Sequence, residues 1–185
     1  HKKRFRQIEK LRKELDLPVA TLLDTKGPEI RLAKFVDDKP VEIHDGDTYT
    51  LTTEDVLCTD KIGSVSFKKL PRDVSMGTRI LINDGVIELM AEKVTTSEIV
   101  CRVVHGGTLS NNKGINVPGV KLSMPYLSER DMDDLEFGSK MGFDFIAASF
   151  VRTAADINYL RKFTQSLGWF DVRIIAKIEN TDGVE

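Results

Sequence analysis

Cysteine is scarce in this chain: Cys58 and Cys101 are the only two among 185 residues. They stand far apart without Cys-x-x-Cys spacing, which argues against a zinc site and a disulfide framework and fits a reducing cytosol. Long apolar runs are missing as well. No stretch approaches the ~20 apolar residues that cross a bilayer, and no charged segment followed by an apolar one opens the sequence as a secretion signal would. The expectation is a soluble cytoplasmic protein with no membrane partner. Charge of one sign is also lacking, because 27 Lys and Arg nearly balance 29 Asp and Glu for a formal net charge of -2. That balance gives no electrostatic pull toward nucleic acid, and the aromatic residues form no stacking stripe of the kind that single strands require. The one dense basic cluster, Lys2-Lys3-Arg4 with Arg6, falls on a helical pattern and reads as a solvated helix face.

What is present is a globular composition, 41% hydrophobic and 30% charged, with enough chain for one good core or one and a half smaller ones. Phe5, Ile8, Leu11 and Leu15 recur at helical spacing and predict an amphipathic helix over 3–15. Asp16-Leu17-Pro18 ends it, and the apolar run Val19 to Leu23 reads as a strand buried on both faces. At its end, Asp24-Thr25-Lys26-Gly27-Pro28-Glu29-Ile30-Arg31 gathers carboxylates, a hydroxyl and a guanidinium around a strand-breaking Gly-Pro. Such a segment is either a polar turn between domains or a cation and phosphate site.

From about Leu32 to Val104 helical periodicity gives way to short alternating runs punctuated by Asp45-Gly46, Met76-Gly77 and Asp84-Gly85. This predicts an all-β insert, a small barrel or sandwich. Its clearest hairpin joins Ile80–Ile82 to Val86–Met90 through Asn83-Asp84-Gly85. The following segment from Gly106 to Gly119, rich in glycine and asparagine and containing Lys113, is either a linker or a backbone cradle for phosphate. Helices and buried strands then return. Ser128-Glu129-Arg130-Asp131 has the form of a capping box for a helix toward Met141, closed by Gly142. Phe145 to Phe150 reads as a buried strand, and Thr153 with Asp156 caps a helix with Ile157, Leu160 and Leu167 inward.

That helix feeds a last strand-like run, Arg173 to Asn180, completing a βαβ unit. Its three isoleucines predict burial, and strand alternation puts Lys177 and Glu179 on one face at its carboxyl end, where parallel α/β folds place their chemistry. Alone, the pair could equally be a solvated ion pair of little energetic weight.

Five ordered segments change that balance. Asp24 to Arg31, Asn83-Asp84-Gly85, Lys113-Gly114-Ile115-Asn116-Val117-Pro118-Gly119, Ala148-Ser149-Phe150-Val151-Arg152 and Ala176-Lys177-Ile178-Glu179-Asn180 together resemble the pyruvate kinases, over essentially the whole chain. The resemblance implies an α/β fold, a partial (β/α)8 TIM barrel interrupted by a small all-β barrel domain. Residues 1–26 and 119–185 would belong to the barrel A domain, and 27–118 to the B domain, a lid hinged near Gly27-Pro28 and Val117-Pro118-Gly119. It further implies transfer of a phosphoryl group from phosphoenolpyruvate to ADP, giving pyruvate and ATP in glycolysis. The family's second metal carboxylate and its proton-relay threonine would lie downstream of Glu185, so this chain alone is expected to be inactive as a kinase. The full-length protein is expected to be a homotetramer. The competing expectation is a non-catalytic ligand-binding or structural module.

By the same resemblance Lys177 is the catalytic cation beside the transferring phosphoryl and developing enolate. Glu179 is a ligand of Mg2+ (or Mn2+), and Asp24 and Thr25 help to hold K+, with Glu29 matching potassium-dependent members. Arg31 and Lys113 match nucleotide-phosphate contacts. Ser149 and Phe150 shape the site, and Asp84 faces the cleft, with Asn83 standing where many relatives carry a second aspartate.

Overall fold

The computed structural model of the protein describes residues 1–184. The chain runs from α1 (Lys2–Glu14) into β1 (Leu22–Asp24), then through β2 (Ile30–Arg31), β3 (Val41–Ile43), β4 (Thr48–Thr52), β5 (Ile62–Ser64), α2 (Leu70–Asp73), β6 (Arg79–Ile82), β7 (Ile87–Val94), β8 (Glu98–His105), β9 (Gly107–Leu109) and β10 (Gly114–Asn116). It returns through α3 (Glu129–Met141), β11 (Phe145–Ala148), α4 (Ala154–Ser166) and β12 (Arg173–Ala176). These elements form two compact units, His1–Pro28 with Pro125–Glu185, and Glu29–Met124. Among the described residues no helix is long and apolar enough to cross a membrane.

The first unit is mixed α/β. Its sheet is parallel, in the order β1-β11-β12, with Asp24 opposite Ala147 and Ala148 opposite Ala176. α3 starts where the sequence predicts, because Ser128 Oγ accepts from the Asp131 N–H while the Asp131 side chain accepts from the Ser128 N–H. It stops at Gly142, whose φ of 77° is left-handed and favours glycine. α4 is capped by Thr153, and its N-terminal Asp156 takes the Arg152 guanidinium through two nitrogens at 3.1 and 3.2 Å. Tyr126, Leu127, Leu135, Ile146, Ala148, Val151, Leu160 and Val172 form the core between helices and sheet.

Three expectations for this unit need correction. α1 buries Phe5 alone; Ile8, Leu11 and Leu15 stay exposed. The helix is anchored instead through Phe5, whose ring lies 4.5 Å from that of Phe143, and through Arg12, two turns later on the same face. Arg12 Nη1 donates to Asp144 Oδ2 at 2.7 Å and to the Val19 carbonyl. β1 is three residues long, and with one strand neighbour among the described residues its Leu22 is exposed rather than buried on both faces. β12 ends at Ala176 and, among the described residues, is the other edge of the sheet, so Ile175 is exposed despite its composition.

The Asp144 carboxyl is held below its usual range, first by the Thr21 backbone N–H and then, against partial burial, by Arg12 and the Thr21 hydroxyl. A carboxyl depressed on folding stabilises the fold above its unfolded value, and that contribution is lost as pH falls through the folded value. Asp144→Asn is therefore expected to be less stable than wild type at pH 7, with the gap closing below about pH 4. Urea midpoints at several pH values would show this, and a gap independent of pH would contradict it.

The second unit is built on a seven-stranded sheet in the order β2-β10-β6-β7-β8-β4-β5, antiparallel except between β4 and β5, with β3 and β9 paired separately. A single bridge between Leu32 and Val65 ties the ends of its two outer strands. The inward positions alternate along β6 and β7, as Ile80, Ile82, Ile87, Leu89 and Ala91. Regular secondary structure here is not β alone: Leu70–Asp73 forms one helical turn, started by Pro71, which needs no donor there. The hairpin is one residue looser than expected. Ile82 pairs with Ile87, so Val86 belongs to the loop and is exposed, while Asn83, Asp84 and Gly85 all take positive φ. Both cysteines are free and buried in this core, and burial pushes the Cys101 thiol up to about 12.

Tyr49 is fully buried, and its hydroxyl finds no partner among the protein atoms described. It rests against Gly63, where an added Cβ would come within 2.5 Å of the Tyr49 oxygen. An unpaired buried hydroxyl costs more than it returns, so Tyr49→Phe is expected to raise stability by about 1 kcal/mol. A lower urea midpoint for Tyr49→Phe would show that the hydroxyl is satisfied after all.

Candidate active site

Parallel pairing brings the carboxyl ends of β1, β11 and β12 to one side, and the residues after β1 and β12 continue the ladder onto β11. The Thr25 N–H donates to the Ala147 carbonyl at 3.0 Å and the Lys177 N–H to the Ala148 carbonyl at 2.9 Å. Side chains from three distant stretches meet there. Lys177 Nζ donates to Ser149 Oγ at 2.9 Å and to Asp24 Oδ1 at 3.2 Å, and lies 3.5 Å from Glu179 Oε1. Ser149 Oγ in turn donates to Asp24 Oδ1 at 3.2 Å. Burial alone would lower the pKa of the Lys177 ammonium, but the hydrogen bond and charge of Asp24, with Glu179, outweigh it and hold the pKa above its ordinary value. The group is a permanent cation, partly open to solvent, flanked by two carboxylates.

Glu179 is oriented by the backbone. Its Oε2 accepts the Phe150 N–H at 3.0 Å, and Phe150 itself has φ of 53°. A left-handed conformation at a bulky residue costs about 1–3 kcal/mol and persists only where surroundings hold it. Here the next residue is fixed, since the Val151 N–H donates to the Lys177 carbonyl at 3.1 Å and the Val151 carbonyl accepts from Asn180 Nδ2. Lys177 and Glu179 thus lie beyond the strand rather than on it, and two loops laced together, not strand alternation, put them side by side.

Thr25 is buried, with its hydroxyl donating to the Ala147 carbonyl and accepting the Ser149 N–H at 3.1 Å. The hydroxyl therefore ties β1 to β11, while the Thr25 carbonyl accepts no hydrogen bond from a described residue. Among the described residues no group of three or more His, Cys, Asp and Glu could hold a metal by itself. One carboxylate such as Glu179 suits Mg2+ or Mn2+ when substrate oxygens and water complete the shell, the usual arrangement for a small cation that gives up water reluctantly. The exposed Asp24 carboxylate and the unclaimed Thr25 carbonyl are oxygen donors of the kind K+ takes.

The remaining expected residues lie in the second unit and come together within it. Arg31 is opposite Gly114 in the β2–β10 pair, and the Lys113 carbonyl accepts the Leu32 N–H. The Asn83 N–H donates to the Gly114 carbonyl at 3.0 Å, which places the Asp84 loop beside the same strand end. Arg31 is held by Glu29 through two bonds of 2.8 and 3.0 Å and by the Asn112 carbonyl at 2.7 Å. Lys113 and Asp84 make no ion pair among the described residues.

Two groups at the site escape sequence reasoning. Tyr126 donates its hydroxyl to the Ser149 carbonyl at 3.1 Å, and Asp131 receives the Lys26 and Gly27 N–H groups. The Ser-x-x-Asp spacing reveals Asp131 as a helix cap, but nothing local signals its second bond set.

The family model described as "Pyruvate kinase, barrel domain" matches residues 1–185. Pyruvate kinase 2 of Synechocystis sp. is 42% identical over 188 residues, covering all of this chain and 32% of the relative. The pyruvate kinases of Clostridium perfringens and Geobacillus stearothermophilus are 40% and 42% identical, again over the whole chain, which covers 39% and 32% of them. The chain thus spans about a third of the length of these curated relatives, and it belongs to the pyruvate kinase barrel-domain family.

Proposed function

We propose that this chain is the part of a pyruvate kinase that handles the phosphoryl group passed from phosphoenolpyruvate to ADP. What carries the proposal is the Lys177–Ser149–Asp24–Glu179 cluster at the carboxyl ends of three parallel strands, where α/β folds place catalysis. In the reaction the bond between the phosphoryl group and the enol oxygen breaks and a bond to the terminal phosphate of ADP forms. The enolate left behind gains a proton at carbon to give pyruvate. Negative charge grows on the enol oxygen, and Lys177 is the group assigned to meet it; a preorganised ammonium stabilises charge that develops late more than charge already present. Asp24 and Ser149 both accept from that ammonium and hold it in place.

Glu179 is assigned to the divalent metal, Mg2+ or Mn2+, with the Phe150 N–H fixing one of its oxygens. When bound, such an ion would supply positive charge against the negative charge of the phosphoryl group. Asp24, together with Thr25 through its carbonyl, is assigned to K+. Arg31 and Lys113 are assigned to nucleotide phosphates: Arg31 is pre-set by Glu29, and Lys113 has no competing carboxylate among the described residues. Asp84 and Ser149 are neighbours of bound substrate. A partial TIM barrel carrying residues 1–26 and 119–185, with 27–118 as a small barrel and lid, fits the division at Pro28 and Met124 and the bridge between Leu32 and Val65. Cytoplasmic location and a homotetrameric full-length enzyme belong to the same proposal.

The test is a coupled assay of pyruvate formation by the full-length protein with phosphoenolpyruvate, ADP and Mg2+, with and without K+. Turnover that depends on both ions is expected. A well-folded full-length protein with no turnover would overturn the assignment.

A further inference from the structure

Asp131 is the most enclosed charge in the first unit, fully buried and without an ion-pair partner among the described residues. Four donors surround it instead. Oδ2 accepts the Ser128 N–H at 3.1 Å and the Ser128 hydroxyl at 2.6 Å, which completes the cap of α3. Oδ1 is not needed for that cap. It reaches back across the sequence to accept the Lys26 N–H at 3.0 Å and the Gly27 N–H at 3.3 Å. An N3 carboxylate needs only one oxygen for a capping box, so the second bond set calls for its own explanation.

The turn it holds is pressed from the other side. Gly27 is left-handed at φ 72°, and a Cβ there would lie 2.7 Å from the Ser149 carbonyl oxygen. That same carbonyl accepts the Tyr126 hydroxyl. Lys26 and Gly27 are thus gripped between Asp131 and Ser149, and two residues before them Asp24 bonds both Ser149 Oγ and Lys177 Nζ. The segment that carries Asp24 is thus fixed two residues further on, at the Lys26 and Gly27 amides.

We infer that Asp131 is a positioning residue for the Asp24–Ser149–Lys177 cluster, acting through the Lys26 and Gly27 amides. It touches no reacting group and is not a catalytic residue. The inference rests on the phosphoryl-transfer assignment for its kinetic consequence and on geometry alone for its structural one.

The full-length protein is tested in four forms: wild type, Asp131→Ala, Asp131→Asn and Ser128→Ala. Two readouts are taken, steady-state kinetics and hydrogen exchange of the peptide containing Lys26 and Gly27. Asp131→Ala is expected to exchange that peptide faster and to lose about 10²-fold in kcat, as a displacement on the scale of 1 Å does, with KM for ADP unchanged. Asp131→Asn keeps an acceptor for both amides and is expected to recover protection and most of kcat. Ser128→Ala weakens the cap of α3 but leaves the Oδ1 bonds, so stability falls while kcat holds. If the alanine protein does not fold, Asp131→Glu replaces it. The longer residue still closes a capping box, but its carboxylate is displaced from the two amides, and kcat should fall. The inference is overturned if removing or displacing the acceptor leaves exchange at Lys26–Gly27 unchanged, or if Ser128→Ala lowers kcat as much as Asp131→Ala. Wild type without turnover would instead remove the phosphoryl-transfer assignment, and the exchange comparison would still decide the role of Asp131.

Discussion

Methionine in place of Lys177 in the full-length protein is expected to lower kcat for pyruvate formation by about 10²–10³-fold, with KM for ADP nearly unchanged. Methionine has close to the length of lysine and fills its space, so the substitution deletes charge and donor more than volume. The ammonium lies 2.9 Å from Ser149 Oγ and 3.2 Å from Asp24 Oδ1, and the bond between those two partners does not depend on it. The fold should therefore survive: Lys177 is half-exposed, and its backbone keeps the bonds to Ala148 and Val151. A cation that binds reactant and transition state alike would change KM; one that meets charge only as the enolate develops changes kcat. A variant with kcat within threefold of wild type would remove Lys177 from the chemistry, whatever its contacts.

How much of this could be read from residue order depends on how far apart the partners are. The caps of α3 and α4 were legible because Ser128 and Asp131, and Thr153 and Asp156, are three residues apart and hydrogen-bond within a single turn. Lys177 and Glu179 are marked by their place at the end of an apolar run, but strand alternation is not what pairs them: the strand ends at Ala176, and both groups stand in the loop beyond. The burial of β12 and of the α1 stripe was misjudged because apolar composition records a preference for burial, while exposure depends on which neighbours are present. Leu11 and Ile175 have the composition of core residues and are exposed. Phe150 is the hardest case. Its left-handed backbone runs against its own preference, and it is held by the Glu179 carboxylate on its N–H and by the bonds of the next residue, Val151, to Lys177 and Asn180.

Gly27→Ala is expected to cost the first unit about 3 kcal/mol, and a matched control separates its two causes. Gly27 and Gly142 have nearly equal left-handed φ, 72° and 77°. At Gly142 an added Cβ meets nothing within 4 Å, so alanine there suffers only the left-handed penalty, about 1 kcal/mol. At Gly27 the same methyl would lie 2.7 Å from the Ser149 carbonyl oxygen and 3.1 Å from its carbon, backbone atoms that cannot rotate away. Relief requires either the Lys26–Gly27 turn to leave Asp131 or Ser149 to shift from Tyr126, and Ser149 carries the hydroxyl that joins Asp24 to Lys177. Stability and kcat should therefore fall together in Gly27→Ala, whereas Gly142→Ala should lose stability alone. Equal unfolding midpoints for the two variants would mean that the turn has room the structure does not give it, and that the close approach of Gly27 to Ser149 does not hold the cluster in register.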